Sequence, residues 1–280
     1  MVRQSIRGAL RLGTYELPAE RMLIMGVLNV TPDSFSDGGL HLDAVAAIEH
    51  AKRLAADGAD IIDVGGESTR PGAAPVSTDE EISRVLPVIE AIAPTIGVPV
   101  SIDTRNPGVA RRAVDAGAVM INDVTGLRDE AMLDVVRDTG VAVTVMHMKG
   151  TPETMATSNQ YDDMLGEIAA YLVAQADKAF AAGAQAVVID PGIGFAKDTH
   201  QNLELLNHLS AFTGLGYRVL VGPSRKRFIG ELTGAPADNR IPATVAAVVK
   251  CVQAGVDIVR VHDVAACRQA ITMAEAIERA

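Results

Sequence analysis

The sequence predicts an α/β protein, a TIM-type (β/α)8 barrel with an N-terminal hairpin or lid segment, on three observations. Five times an amphipathic stretch ends on a glycine and gives way to a short apolar segment: Gly58 before DIIDV, Gly117 before VMIND, Gly140 before VTVMH, Gly183 before VVID and Gly255 before DIVRV. Each reads as a helix C-terminus followed by a buried strand. LIMGVLN from Leu23, VPVSID from Val98 and YRVLVG from Tyr217 bring the strands to eight, with helical segments between them. The length of 280 residues suits one such barrel, which typically takes about 250.

Residues 1–21 have no partner βα unit, so they are expected to pack on the closed, N-terminal end, with residues 22–280 forming the barrel. In the second helix Thr78 and Glu81 have the spacing of a capping box, Ile82, Val85, Leu86 and Ile89 follow the rhythm of a buried face, and Pro87 is expected to kink it. After the sixth strand Leu203, Leu206, Leu209 and Phe212 recur every three residues and read as a core stripe.

Composition narrows the function. A net charge of −10 argues against a nucleic-acid partner, which needs a clustered positive surface. No apolar run approaches the roughly 18 to 20 residues of a membrane span, and the first 21 residues lack the apolar core and cleavage site of a secretion signal. Cys251 and Cys267 stand in separate elements, as reduced structural thiols of a cytoplasmic protein would. An anionic substrate would need a local basic pocket set against this acidic background.

Such a barrel carries its chemistry at the C-terminal ends of its strands. Here the first ends on Asn29, the second runs into Glu67, Ser68, Thr69 and Arg70, the third ends on Asp103, the fourth on Asn122 and the fifth on Met146 and His147. The sixth ends on Asp190, the seventh leads to Ser224, Arg225 and Lys226, and the eighth carries Arg260 and His262. A polar residue leaving a strand for water is unremarkable alone, but all eight fall on one rim. Asp103, Asn122 and Asp190 suit the edge of a flat, NH-rich heterocycle. Arg70, Lys226, Arg260 and His262, with Asn29, suit a phosphorylated group and the hydrated Mg²⁺ it brings. Asp63, inside the second strand, Glu67 and His147 read equally well as structural, the histidines at 41, 50, 200 and 208 as surface residues, and Arg225 and Arg227 as solvent-facing.

No GxxxxGK[ST], HExxH or CxxC occurs, and GIGFAK from Gly192 lacks the third glycine of a dinucleotide fingerprint. Ser34, Ser68 and Ser224 have no nucleophile-elbow setting.

These residues lie in strings that together resemble the dihydropteroate synthases. The strings are GVLNVTPDSFSDGG from Gly26, GADIIDVGGESTRPG from Gly58, SIDT ending at Thr104, IND ending at Asp123, MHMKGTP from Met146, DPGIGFAKDTHQN from Asp190, GPSRKRFIG from Gly222 and VRVHDV from Val259. The resemblance implies condensation of 6-hydroxymethyl-7,8-dihydropterin pyrophosphate with p-aminobenzoate, releasing pyrophosphate, in a cytoplasmic homodimer that is a target of sulfonamides. It implies that Asp103, Asn122, Met146, Asp190, Lys226 and Arg260 hold the pterin, that Asn29, Arg70, Arg260 and His262 hold the pyrophosphate, and that Asn29 also meets Mg²⁺. Phe35, Thr69, Arg70, Pro71, Phe195, Ser224 and Lys226 would line the p-aminobenzoate side, with Phe35, Pro71 and Phe195 as an apolar slot. Asp33, Arg70, Asp103, Lys226 and Arg260 would be catalytic, Asp33 facing the methylene carbon as pyrophosphate departs. The segments 31–39 and 68–72 resemble the family's two active-site loops. Pro223 departs from the alanine or threonine common there, beside Ser224.

Two other functions fit parts of this pattern. A methyltetrahydrofolate-dependent corrinoid methyltransferase would use the same Asp, Asn, Asp logic, but has no need of a pyrophosphate set and needs a corrinoid partner. A non-catalytic pterin-binding paralogue would be expected to have lost rim residues, whereas Asn29, Asp33, Arg70, Asp103, Asp190, Lys226, Arg260 and His262 are all present.

Overall fold

The computed structural model describes residues 8–31, 39–68, 76–151 and 154–280, without the side chains of residues 39–43 and 156. The five helix-ending glycines all have positive φ, between 65° and 109°, the left-handed stop that only glycine adopts readily. Behind each stop, or behind one of the three further turns, comes a strand of the barrel: β3 (Leu23–Asn29), β4 (Ile61–Gly65), β5 (Val100–Asp103), β6 (Met120–Asp123), β7 (Ala142–Met146), β8 (Val187–Asp190), β9 (Arg218–Val221) and β10 (Ile258–Val261). All pair in parallel with their neighbours, and β10 closes the ring between β3 and β9. The strands read as almost continuous apolar runs because helices cover the outer face and side chains fill the interior.

The outer layer comprises α1 (Gly39–Ala56), α2 (Thr78–Ile92), α3 (Pro107–Asp115), α4 (Glu130–Thr139), α5 (Met164–Ala181), α6 (Thr199–Asn207), α7 (Ser210–Thr213), α8 (Arg227–Thr233), α9 (Ile241–Gln253) and α10 (Val264–Arg279). Two helices correct the sequence reading. In α2 the N-cap is Ser77, whose side chain accepts from the Glu80 N–H, so Thr78 and Glu81 do not form a capping box. Glu81 instead lies in the buried face with Val85, Val88, Ile89 and Ile92, and Leu86 is only half-buried. Pro87 sits inside the helix, which runs on to Ile92. The expected leucine stripe is divided between α6 and α7: Leu206, Leu209 and Phe212 are buried while Leu203 is 41% exposed. A three-residue step falls short of a 3.6-residue turn, so such a row drifts off the core, and Leu205 takes the inward place.

Below the barrel β1 (Leu10–Leu12) and β2 (Tyr15–Leu17) form an antiparallel hairpin. Leu10 and Leu12 pack with Leu23, Met25, Ile61, Met120, Ala142, Val188, Leu220 and Ile258, the inward residues near the strand starts. The hairpin therefore plugs the closed end, each leucine contributing about 1.5–3 kcal/mol of burial. Beside the plug Asp60 accepts hydrogen bonds from Arg21, Arg268 and the Ile24 N–H.

Candidate active site

Strand register places the polar residues in one row. Asn29 pairs with Gly65, Gly65 with Asp103 and Asp103 with Asn122, so four consecutive strands present these residues side by side at their C-terminal ends. A Cβ at Gly65 would sit 3.6 Å from Asp103 Oδ2 and 3.8 Å from Asn29 Oδ1, filling the gap between them. Across the mouth Met146 pairs with Asp190.

Arg260 organises the floor of this mouth. Its Nε donates to Asp63 Oδ2 at 2.6 Å and its Nη2 to Asp103 Oδ2 at 2.6 Å. Asn122 Nδ2 donates to the same Asp63 oxygen at 2.9 Å, which leaves the amide oxygen as the acceptor this side chain offers a ligand. Asp63 is fully buried and its Oδ1 has no partner among the described residues. Burial raises the Asp103 pKa and the Arg260 guanidinium opposes it, while Arg260 itself is held protonated by the two carboxylates. Asp190 is pushed up to about 6 by burial, against the pull of the Gly192 N–H, which donates to its Oδ1 at 2.7 Å, and of Lys226, Lys197 and Arg260. The result is a dry set of acceptors at one edge, suited to a ligand rich in N–H groups.

The opposite side is cationic and partly apolar. Lys226 Nζ lies 4.2 Å from the centre of the Phe195 ring, a cation–π contact. Met146 packs with Val124, Met148, Met155 and Ala196, and half-buried Phe195 rests on this cluster. At the rim Ser224 Oγ accepts the His262 backbone N–H at 3.2 Å and lies 3.0 Å from His262 Nδ1. In the tautomer that takes the Ser224 proton on Nδ1, the neutral imidazole carries its own hydrogen on Nε2 and offers it as a donor for an anion. Burial, with Arg260 and Arg225 nearby, lowers this histidine to about 3.

The structure thus gathers Asn29, Asp103, Asn122, Met146, Asp190, Phe195, Ser224, Lys226, Arg260 and His262 at one end of the barrel. Asp33, Phe35, Thr69, Arg70 and Pro71 lie outside the described residues. Arg225 is not solvent-facing: it makes a two-pronged pair with Asp263, Nε to Oδ2 at 2.9 Å and Nη2 to Oδ1 at 2.5 Å. Arg227 is exposed and pairs with Glu231. Glu67 takes both prongs of Arg105 at 3.1 Å, anchoring the segment that follows β4. His50 is half-buried, and His200 and His208 are exposed.

Residues 25–262 match the family of pterin binding enzymes. The dihydropteroate synthase of Bacillus subtilis (strain 168) is 49% identical over 248 residues, 88% of this chain and 85% of the relative. The chain belongs to the dihydropteroate synthase family. Solved dihydropteroate synthases share the whole architecture. That of Yersinia pestis, in a sulfonamide drug complex, superposes with a TM-score of 0.91 at 41% identity, covering 97% of this chain and all of the other. That of Xanthomonas albilineans, with 4-aminobenzoic acid, gives 0.91 at 46% identity, covering 97% and 98%.

Sequence reasoning left Asp63 undecided and missed its place beneath the dihydropteroate synthase site. An acid inside an otherwise apolar strand was the available signal, since buried carboxylates require partners.

Proposed function

We propose that this chain joins 6-hydroxymethyl-7,8-dihydropterin pyrophosphate to p-aminobenzoate, giving 7,8-dihydropteroate and pyrophosphate. The observation that carries it is the row of Asp103, Asn122 and Asp190 around Arg260, inside a barrel of this family. The acceptors take the amino and ring N–H groups of the pterin, and Asp63 fixes the angle of both Arg260 and Asn122. Arg260 commits Nε–H and one Nη2–H to carboxylates, so a phosphate meets Nη1 or the second Nη2–H, or competes with the carboxylates.

The C–O bond between the pterin methylene and pyrophosphate breaks with its electron pair leaving on oxygen. The lone pair of the neutral arylamine forms the new C–N bond, and the amine then gives a proton to solvent. His262, through Nε2–H, and Arg260 stabilise the growing charge on the leaving group. Lys226 over Phe195 stands between the pterin edge and the p-aminobenzoate side. The carboxylate-for-sulfonyl analogy of sulfonamides directs them to the latter. Phe35, Thr69, Arg70 and Pro71 keep the roles that the family resemblance implies, and Asp33 is proposed to face the methylene carbon as pyrophosphate departs.

Asn29 is the residue assigned to Mg²⁺. Among the described residues no group of three His, Cys, Asp or Glu side chains could hold a metal. A single strand-end amide oxygen nonetheless fits an ion that keeps its waters and is held mainly by substrate phosphate. When bound, Mg²⁺ supplies charge neutralisation to the pyrophosphate. A cytoplasmic homodimer, as the family resemblance implies, completes the proposal; the two buried free thiols fit the reducing compartment.

The test is to incubate the protein with the pterin pyrophosphate, p-aminobenzoate and Mg²⁺ and follow pyrophosphate and dihydropteroate together. Equal yields, reduced at least about a hundredfold in Lys226→Ala, are expected. Pterin binding with no product in the unaltered protein would instead identify a non-catalytic paralogue.

A further inference from the structure

One buried cation beside this site has no part in the reaction as described. Lys197 is 8% exposed, and its ammonium donates to Gly192 O at 3.0 Å and Phe195 O at 3.0 Å and lies 3.4 Å from His147 Nδ1. These three acceptors use all three of its N–H bonds. His147 is buried between Tyr161 and Tyr171, and burial lowers it to about 3, so its ring is neutral and Nδ1 is free to accept.

The turn that Lys197 holds from beneath reaches the pterin end by two routes. Through the Gly192 peptide, the carbonyl meets Lys197 while the N–H donates to Asp190 Oδ1. This needs a glycine: φ is +73°, and a Cβ would stand 2.0 Å from His147 O. Through Phe195, the carbonyl meets Lys197 while the ring lies under Lys226 Nζ. Three further polar groups of the turn are held, Gly194 N and Lys197 O by Asn202 and Ala196 O by the Tyr161 hydroxyl.

We propose that Lys197 is a positioning residue for the pterin end of the site: it fixes the Gly192 peptide that grips Asp190 and the Phe195 ring that supports Lys226, and its charge offsets that of Asp190. The proposal rests on Asp190 being a pterin acceptor. Asp190 is faced by Lys197 and the Gly192 N–H from its own loop, by Lys226 after β9, by Arg260 from β10 and by the Cys251 thiol from α9. Lys197 is faced in turn by His147 just after β7, by Asp190 and by Lys226. Burial lowers Lys197 to about 7, so it is still largely protonated near pH 6, where Asp190 titrates.

The experiment measures binding of 6-hydroxymethylpterin, which carries no pyrophosphate, from pH 5 to 8. In the unaltered protein binding falls as pH drops through about 6, as Asp190 takes up a proton. Lys197→Gln keeps amide donors for the two carbonyls and removes the charge, so the Asp190 midpoint rises by about one pH unit, the low end for loss of a nearby opposite charge. Binding is then about fivefold weaker at pH 6 and nearly restored at pH 8. Lys197→Arg keeps the original midpoint. A Gln variant with an unmoved midpoint, or one weakened equally at every pH, would overturn the proposal, as would an Arg variant with a raised midpoint. If the Gln variant does not fold, the Arg midpoint decides. Failure of the unaltered protein to bind pterin at any pH overturns the proposal together with the reading beneath it, whereas an effect confined to the variants bears on Lys197 alone.

Discussion

The two ends of the barrel hold inverted versions of one ion cluster, three residues apart along the chain. At the closed end a single carboxylate, Asp60, lies between two guanidiniums, Arg21 and Arg268. At the open end a single guanidinium, Arg260, lies between two carboxylates, Asp63 and Asp103. Below, both Asp60 oxygens are engaged and the Ile24 N–H adds a third donor group, so these partners overcome burial and hold the carboxyl below its usual range. Above, Asp63 Oδ1 lacks a described partner, and burial wins at Asp103 and Asp190. A saturated cluster is a clamp; an undersaturated one stores unmet hydrogen-bonding capacity that a ligand can satisfy.

The largest expected effect comes from removing the central residue of each cluster. Arg260→Met leaves two buried carboxylates facing each other, so turnover should fall at least about a thousandfold and stability by about 3 kcal/mol. Asp60→Asn should cost about 2 kcal/mol in denaturant unfolding while leaving kcat per folded molecule unchanged. An Asp60→Asn enzyme that unfolds normally but turns over slowly would erase the distinction between clamp and site.

Asp190→Asn sharpens the same contrast through pH. A buried acid with a raised pKa binds its proton more tightly folded than unfolded, so it stabilises the fold at low pH and costs stability as pH climbs from about 4 to about 6. The Asn variant should therefore be more stable than the parent by about 1–2 kcal/mol at pH 8, lose that advantage below pH 4, and bind pterin about ten- to a hundredfold less well. Asp60, with its pKa depressed, must behave oppositely: its contribution is present above the unfolded value and lost as pH falls through the lower folded one. Parallel pH–stability curves for Asp190→Asn and Asp60→Asn would contradict the comparison.

How much of this was legible in the sequence follows from how local each signal is. A glycine stop next to an apolar run is local and placed five of the eight strands, and equally local apolar runs placed the other three, and so the end on which Asn29, Asp103, Asn122, Asp190 and Arg260 gather. The Arg260 pairs join residues 197 and 157 positions apart, and only strand register brings them together. Arg225 looked like a surface charge because Asp263 is 38 residues away. Glu81 resembled a cap because its spacing from Thr78 is right, but the helix begins one residue earlier than that spacing assumes, and the side chain turns inward. Lys197 passed as the last letter of a glycine-rich string, since no pattern reveals that backbone carbonyls will close around it.

The smallest effect belongs to the rim. Ser224 is 5% exposed, and its hydroxyl is engaged by both the backbone and the ring of His262, so its contribution is to orient the imidazole proposed to meet the leaving group. Ser224→Ala removes one hydrogen bond worth about 1 kcal/mol and frees the ring to change tautomer. The KM for the pterin pyrophosphate should rise about fivefold while that for p-aminobenzoate stays within about twofold. The family resemblance gives the opposite assignment, with Ser224 against p-aminobenzoate, so steady-state kinetics with each substrate varied in turn separates the two. A rise confined to p-aminobenzoate would mean that substrate binding draws the hydroxyl away from His262, and the rim would then be rearranged by its ligand while the floor around Arg260 is set in advance.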